Sequence, residues 1–247
     1  MEYSTSSLIN SFEPKQKHTT LFNHQISARI RLATELDIPN LHKLVTQMAE
    51  YHGLSQIFTT TETSLYNNLF KSQNPPFHSP TALILEISPN PFPQTTHTTN
   101  TTTNFVPIIK NNYNFNKLEI LDHELESYRS KIIGHDDVYV AGHVLVYPSY
   151  NGFFEKPGLF LDQMFVRKCY RGMKFGKLLF STVAMQAEKM GMGMVDWLVA
   201  DWNEETINFY EKMGAHYIPE YRLCKLYGDQ LQAFGKKSDC EPRIYQK

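Results

Sequence analysis

A single α/β domain is the fold class the sequence predicts, on three observations. Segments of strand-like apolar character alternate with amphipathic helical segments along the chain. No segment repeats at a fixed spacing. The 247 residues suit one large domain that buries its own core. The elements read βααβ, an insertion, then ββαβαββ.

Ala28-Arg-Ile-Arg-Leu-Ala33 alternates with period two and predicts a strand. Asp37 is a natural N-cap, and Pro39 fits a first helical turn because its missing N–H has no partner there. Leu41, Leu44, Val45 and Met48 share one face, so a helix is expected to about Tyr51, stopping near Gly53. Thr61 to Phe70 predicts a short second helix, and Ala82 to Ile87 a strand. From Ser88 to about Asp136 the pattern breaks. Pro89, Pro91 and Pro93 lead into the tract TTHTTNTTTN, which has too little apolar surface to offset its ordering entropy. Residues 88–136 are therefore expected to form a surface insertion, with Pro93 to Asn116 removable without loss of folding. Val138 to Tyr147 and Gly158 to Val166 predict strands. A helix from Phe175 to Lys189 follows, with Leu178, Leu179, Val183 and Ala187 on its core face. Met194 to Ala200 predicts a strand and Glu204 to Met213 a helix, with closing strands at Ala215 to Tyr217 and Arg222 to Leu226. The domain is expected over 26–235, between a flexible polar arm (1–25) and a tail (236–247).

Lys+Arg 24 against Asp+Glu 25 leaves a formal charge of -1, which argues against nucleic-acid or anionic-membrane partners. No apolar run reaches the roughly 18 residues of a membrane-spanning helix. The start, MEYSTSSLINSFEPKQ, carries early acids and no long apolar core, so it does not read as a secretory signal, and the cytoplasm is the expected compartment. Cys169, Cys224 and Cys240 are far apart and read as reduced thiols. No His pairs with another His beside a Cys or carboxylate at ligand spacing, so no metal is expected.

Two segments carry chemistry. Tyr170-Arg171-Gly172-Met173-Lys174-Phe175-Gly176-Lys177 lies between a predicted strand and an amphipathic helix. A helix N-terminus offers unpaired N–H groups and partial positive charge, Gly admits a phosphate to the backbone, and Arg171, Lys174 and Lys177 add cations. The spacing is that of neither a Walker A loop nor G-x-G-x-x-G. Asp201 to Ala215 places Asn203 at an N-cap, Ile207, Phe209, Tyr210 and Met213 as a packing set, and Gly214 as a helix stop.

Together these segments resemble the GCN5-related N-acetyltransferase superfamily, whose phosphate loop is Q/R-x-x-G-x-G/A between a strand and a helix. The resemblance covers about Ala28 to Leu226 without the insertion. It is strongest toward the diamine N-acetyltransferases and their plant relatives, including hydroxycinnamoyl-CoA:tyramine transferases. LVADWNEETINFYEKMGA, from Leu198 to Ala215, is similar to their signature nearly throughout, and ISPNPF and GDQLQAF resemble the plant branch. The resemblance implies a mixed, mostly antiparallel sheet flanked by helices, whose splayed strands admit acyl-CoA, and a homodimer. It places pantetheine against Met164, Phe165 and Val166, and the pyrophosphate on Arg171, Gly172, Met173, Lys174, Phe175, Gly176 and Lys177. Asn203 and Thr206 approach the cofactor arm. Tyr210 matches the general acid that protonates the departing thiolate, and Asp162 the carboxylate that deprotonates the amine through water. Tyr51, His52, Asp162 and Trp197 fall on the acceptor side.

The sequence departs from the pattern at three places. Lys174 replaces the central Gly of the loop, Asp162 is one methylene shorter than the usual Glu, and His52 and Gln163 stand where the diamine enzymes have acids. The leading expectation is transfer of an acetyl group from acetyl-CoA, without metal, to a primary amine such as a diamine, an ornithine-like amine or an arylalkylamine. A hydroxycinnamoyl-CoA:tyramine transferase is the alternative, with Phe153, Phe154 and Phe160 suiting either an aromatic acceptor or core packing. A catalytically silent CoA-binding module is a further one, raised by Lys174 and Gln163.

Overall fold

The computed structural model describes residues 25–72, 74–93, 105–114, 120–132, 137–152, 155–220 and 222–236. The expected arm up to residue 24, the Thr/Asn tract, Phe153, Phe154 and the tail from residue 237 lie outside them. The chain divides into two compact units, Met1–Leu198 and Val199–Lys247.

The first unit holds a six-stranded sheet in the order β3-β1-β2-β4-β5-β6. The strands are β1 (Gln25–Leu32), β2 (Thr81–Ser88), β3 (Ile108–Asn114), β4 (Tyr139–Ser149), β5 (Gly158–Val166) and β6 (Met194–Trp197). Every neighbouring pair is antiparallel except β5 with β6. The helices are α1 (Ile38–Tyr51), α2 (Glu62–Leu69) and α3 (Phe175–Lys189). β2 is buried along its whole length, as expected of a central strand covered on both faces. Ala82 and Ile84 pack with Leu41, Leu44 and Val45 of α1, Leu65 of α2, and Phe165 of β5. α3 packs on β5 and β6.

Asp37 precedes α1 as expected, but its side chain caps nothing in that helix. Its carboxylate instead takes both terminal nitrogens of Arg31, at 2.7 and 2.8 Å, and the Thr34 N–H. Arg31 also donates to the fully buried Glu86 at 2.7 Å, and Arg29 and Ser130 complete that carboxylate's shell. The charges are tolerable in the core because each is hydrogen-bonded to its opposite.

The reading of 88–136 as a surface insertion does not hold for the described parts of that stretch. Ile108–Asn114 is strand β3, paired to β1. Phe105, Ile120, Leu125 and Tyr128 are buried, and Asp122 forms a buried ion pair with Arg167. Low hydrophobicity around the Thr/Asn tract hid an edge strand, which needs only one apolar face and a partner for its N–H groups. Excising Pro93 to Asn116 would strip β1 of that partner, so the expected tolerance of the deletion is withdrawn.

In the second unit, α4 (Glu204–Glu211) occupies the predicted helix. The closing strands expected at Ala215 to Tyr217 and Arg222 to Leu226 are absent among the described residues, and α5 (Gly228–Lys236) follows instead. No helix among the described residues is long and apolar enough to cross a membrane.

Candidate active site

The site begins at a break in β5. Gln163 stands opposite Leu145 and Leu161 opposite Val146, which leaves Asp162 as the extra residue of a β-bulge. A bulge bends its strand and sharpens the local twist. The parallel pairing to β6 ends there, with Leu161 opposite Trp197. From Gln163 to Val166 no described strand pairs with β5 on that side. The result is a row of backbone donors and acceptors suited to an extended ligand. Met164, Phe165 and Val166 lie in this row, although the Phe165 side chain is buried in the α1 cluster and has only its backbone to offer.

The second part is the loop leading into α3. Tyr170 is fully buried and donates to Asp122 at 2.6 Å, which fixes the start of the loop. Gly172 (φ 79) and Lys174 (φ 61) both take left-handed conformations. Such alternation gathers successive N–H groups on one side. No described backbone carbonyl accepts from the N–H groups of Gly172 to Lys177. Met173 and Phe175 are buried while Lys174 and Lys177 are exposed, so the apolar side chains anchor the loop and the basic ones face solvent. Lys174 thus occupies a conformation costing roughly 1–2 kcal/mol for a residue with a Cβ, which puts a cation at the mouth of the N–H cradle.

The third part lies at the end of α1. The Arg171 guanidinium sits 4.6 Å from the Tyr51 ring and 5.2 Å from the Phe165 ring, and its Nε donates to the Val166 carbonyl at 3.0 Å. The Tyr51 and His52 rings meet edge-on at 5.3 Å. Burial first, and then the Arg171 charge, lower the His52 pKa from its ordinary value. The resemblance assigns Arg171, Phe165 and Val166 to the cofactor and Tyr51 to the acceptor side, and the Arg171 side chain touches residues of both groups. No sequence signal marks that placement, because the rings come from α1 and β5, far apart in the chain.

Trp197 closes the parallel ladder and meets Phe180 of α3 edge-on at 5.2 Å. Asp162 is exposed, and after burial itself its charge helps raise the Tyr147 pKa. Phe160 stacks on Tyr147 at 5.1 Å. Sequence reasoning missed His143. It is fully buried on β4, with Nε2 3.2 Å from Gln163 Oε1 and no partner at Nδ1.

Burial pushes His143 down to about 4, so it is neutral at pH 7. The unfolded chain, with an ordinary value near 6.5, binds the proton that the folded protein refuses. Stability from this residue is therefore complete above about pH 6.5 and is lost as pH falls toward 4, by about 3 kcal/mol in all. Urea unfolding at pH 7.5 and 4.5 checks it. The stability gap between wild type and His143→Gln is expected to narrow on acidification, and a constant gap would count against it.

In the second unit, Asn203 caps α4, its Oδ1 accepting from the Thr206 N–H at 3.3 Å. Tyr210 is buried on the same helix and meets Phe209 edge-on at 5.1 Å. Burial pushes its hydroxyl up to about 12, so it keeps its proton at neutral pH. Among the described residues, no group of three His, Cys, Asp or Glu side chains could hold a metal ion.

Residues 97–215 match the Acetyltransferase (GNAT) family. The chain is 44% identical over 218 residues to L-ornithine N5-acetyltransferase NATA1 of Arabidopsis thaliana, covering 88% of this chain and 92% of that protein. It belongs to the GNAT acetyltransferase family. A second relative, tyramine N-feruloyltransferase 4/11 of Nicotiana tabacum, is 37% identical over 86% of this chain and 93% of its own. The mouse thialysine N-epsilon-acetyltransferase is 25% identical over 78% and 87%. Among solved structures, an aminoglycoside acetyltransferase from a soil metagenomic sample superposes with a TM-score of 0.50 at 12% identity, covering 81% of this chain and 97% of that one. That likeness shows the fold. The mixed, mostly antiparallel sheet flanked by helices is the GNAT architecture that the resemblance implies, and the protein is an amine N-acyltransferase.

Proposed function

We propose that this GNAT protein moves an acetyl group from acetyl-CoA to the primary amine of a small molecule in the cytoplasm. The observation that carries the reading is the row of N–H groups from Gly172 to Lys177 adjoining the bared edge of β5. Such a row suits a pyrophosphate, and a strand edge suits the amides of pantetheine. Bound there, the thioester supplies an activated acyl group. Lys174 and Lys177 add charge for the phosphates, and the backbone from Met164 to Val166 holds the arm extended. Asn203 and Thr206 serve the cofactor arm, in keeping with the family signature they belong to. Asp162, at the bulge, takes a proton from the incoming ammonium through water, since only the neutral amine attacks. Tyr210 returns a proton to the leaving thiolate. The relatives named for acyl transfer to ornithine and to tyramine support an acceptor with one reacting amine, and a homodimer is the assembly that the family resemblance implies.

Acceptor charge narrows the choice. A polyamine needs carboxylates spaced along its site, but His52 and Gln163 are neutral and Arg171 is cationic. Each missing charge-assisted contact costs on the order of 1.5–3 kcal/mol, or roughly 10- to 150-fold in affinity. The test is a matrix of acetyl-CoA and feruloyl-CoA against spermidine, a short diamine, ornithine and tyramine, read by thiol release. Acetyl-CoA is expected to lead the donors and spermidine to trail the acceptors. A lead for feruloyl-CoA with tyramine would make the protein a hydroxycinnamoyl transferase. Spermidine in front would point to acids elsewhere, Glu50 or Glu155 first.

A further inference from the structure

We propose that His143 is a positioning residue for acyl transfer: through its hydrogen bond to Gln163 it pins the β-bulge that aims the Asp162 carboxylate. The inference rests on the reading of Asp162 as the group that takes a proton from the amine. His143 stands opposite Ile84 of β2 and Phe165 of β5, both members of the α1 cluster, so it lies on the α1 face of the sheet. Gln163, two residues before Phe165, shares that face. Packing alone does not account for a polar ring in this layer. The ring is fully buried, and its Nδ1 has no partner among the described residues. A buried acceptor left without a hydrogen bond costs stability that an apolar side chain would keep. What the imidazole gains is Gln163, whose Oε1 lies 3.2 Å from its Nε2. Burial holds the ring neutral, so it has a single N–H, and the oxygen facing it places that hydrogen on Nε2.

The bond crosses the β4–β5 ladder where the ladder is disturbed. On one side Gly142 stands opposite Val166, and a Cβ there would meet the Phe165 carbonyl oxygen at 2.5 Å, so the two backbones run close together. On the other side the register slips between Leu145 and Val146, and Asp162 is the residue in excess. A bulged residue has no partner across the ladder, so the ladder bonds that orient its neighbours do not orient it. Tying the adjacent Gln163 side chain to β4 supplies that restraint. The direction of the carboxylate matters because a base acts only where its oxygen meets the proton it removes, and a misplacement of about 1 Å can cost roughly 100-fold in rate.

Three variants test the relay. His143→Phe keeps an aromatic ring and removes the donor. Gln163→Met removes the acceptor at a half-buried position, and carries the test if the Phe variant does not fold. His143→Gln returns an amide donor near the place of Nε2. Each is made in the wild type and in Asp162→Asn, and kcat, KM for acetyl-CoA and Tm are measured with the leading acceptor of the amine matrix. His143→Phe and Gln163→Met are expected to lower kcat about 10- to 100-fold, the scale of a misplaced reacting group. KM for acetyl-CoA should stay unchanged, the Tm of His143→Phe should not fall, and His143→Gln should recover most of kcat. In Asp162→Asn, itself slowed about 100-fold or more, His143→Phe should add no further loss, because the carboxylate it aims is gone. Full kcat in His143→Phe and Gln163→Met, or a His143→Gln variant no better than His143→Phe, would overturn the proposal. So would losses of kcat, acetyl-CoA affinity and Tm in step, which would make His143 a structural residue. If Asp162→Asn is slow and His143→Phe slows it further by its full factor, the relay falls while Asp162 stands as the base. Full kcat in Asp162→Asn alone would remove the base assignment and the relay together.

Discussion

Replacing Tyr210 with Phe is expected to lower kcat by about 100-fold or more, the usual scale of general acid catalysis. Tyr210 lies in the apolar side of α4, and its hydroxyl is pushed up to about 12, so the proton is in place throughout the neutral range. A thiolate leaving an acyl group needs such a donor. The substitution removes one oxygen and keeps the ring that meets Phe209, so the fold and CoA affinity should be nearly preserved. Steady-state kcat, CoA titration and circular dichroism together check the claim. A variant with full kcat would assign the protonation to water and leave Tyr210 a packing residue.

Asp122→Ala is expected to cost about 3–5 kcal/mol of stability, the range for breaking a buried ion pair from one side. Asp122 takes both terminal nitrogens of Arg167 at 2.7 and 2.5 Å and the Tyr170 hydroxyl at 2.6 Å. Arg167 is almost wholly buried, and its guanidinium lies 3.8 Å from the Tyr128 ring centre. Without the carboxylate that cation keeps only the exposed Glu124, at 3.7 Å, and Tyr170 loses its acceptor. A loss of this size lowers Tm by roughly 10 °C in a chain of this length. The pair also holds the segment from Arg167 to Tyr170 that leads into the N–H cradle, so KM for the acyl donor should rise. Asp122→Asn, which keeps one acceptor, should fall between. A loss below about 1 kcal/mol in urea unfolding would show that water reaches Arg167.

The sequence by itself determined the elements whose signals are local. β5 and α3 begin and end where apolar periodicity places them. The loop before α3 was legible from its glycines and cations, whereas the left-handed conformation of Lys174, where the motif has its central Gly, is seen only in the structure. Asn203 was legible as a cap because capping is settled within four residues. Tertiary structure decided the rest. β3 owes its strand conformation to hydrogen bonds with β1, roughly eighty residues earlier in the chain, so its own weak apolar pattern gave no warning. The residues expected to close the sheet have strand-like composition and find no ladder among the described residues, because side-chain propensity cannot supply a partner. The bulge at Asp162 exists only in the register of β5 against β4. Arg171 shows the same division. Its place in the motif was written in the chain, but where its guanidinium points depends on rings that only the fold brings to it, since stacking and hydrogen bonding act across space and leave no spacing to read.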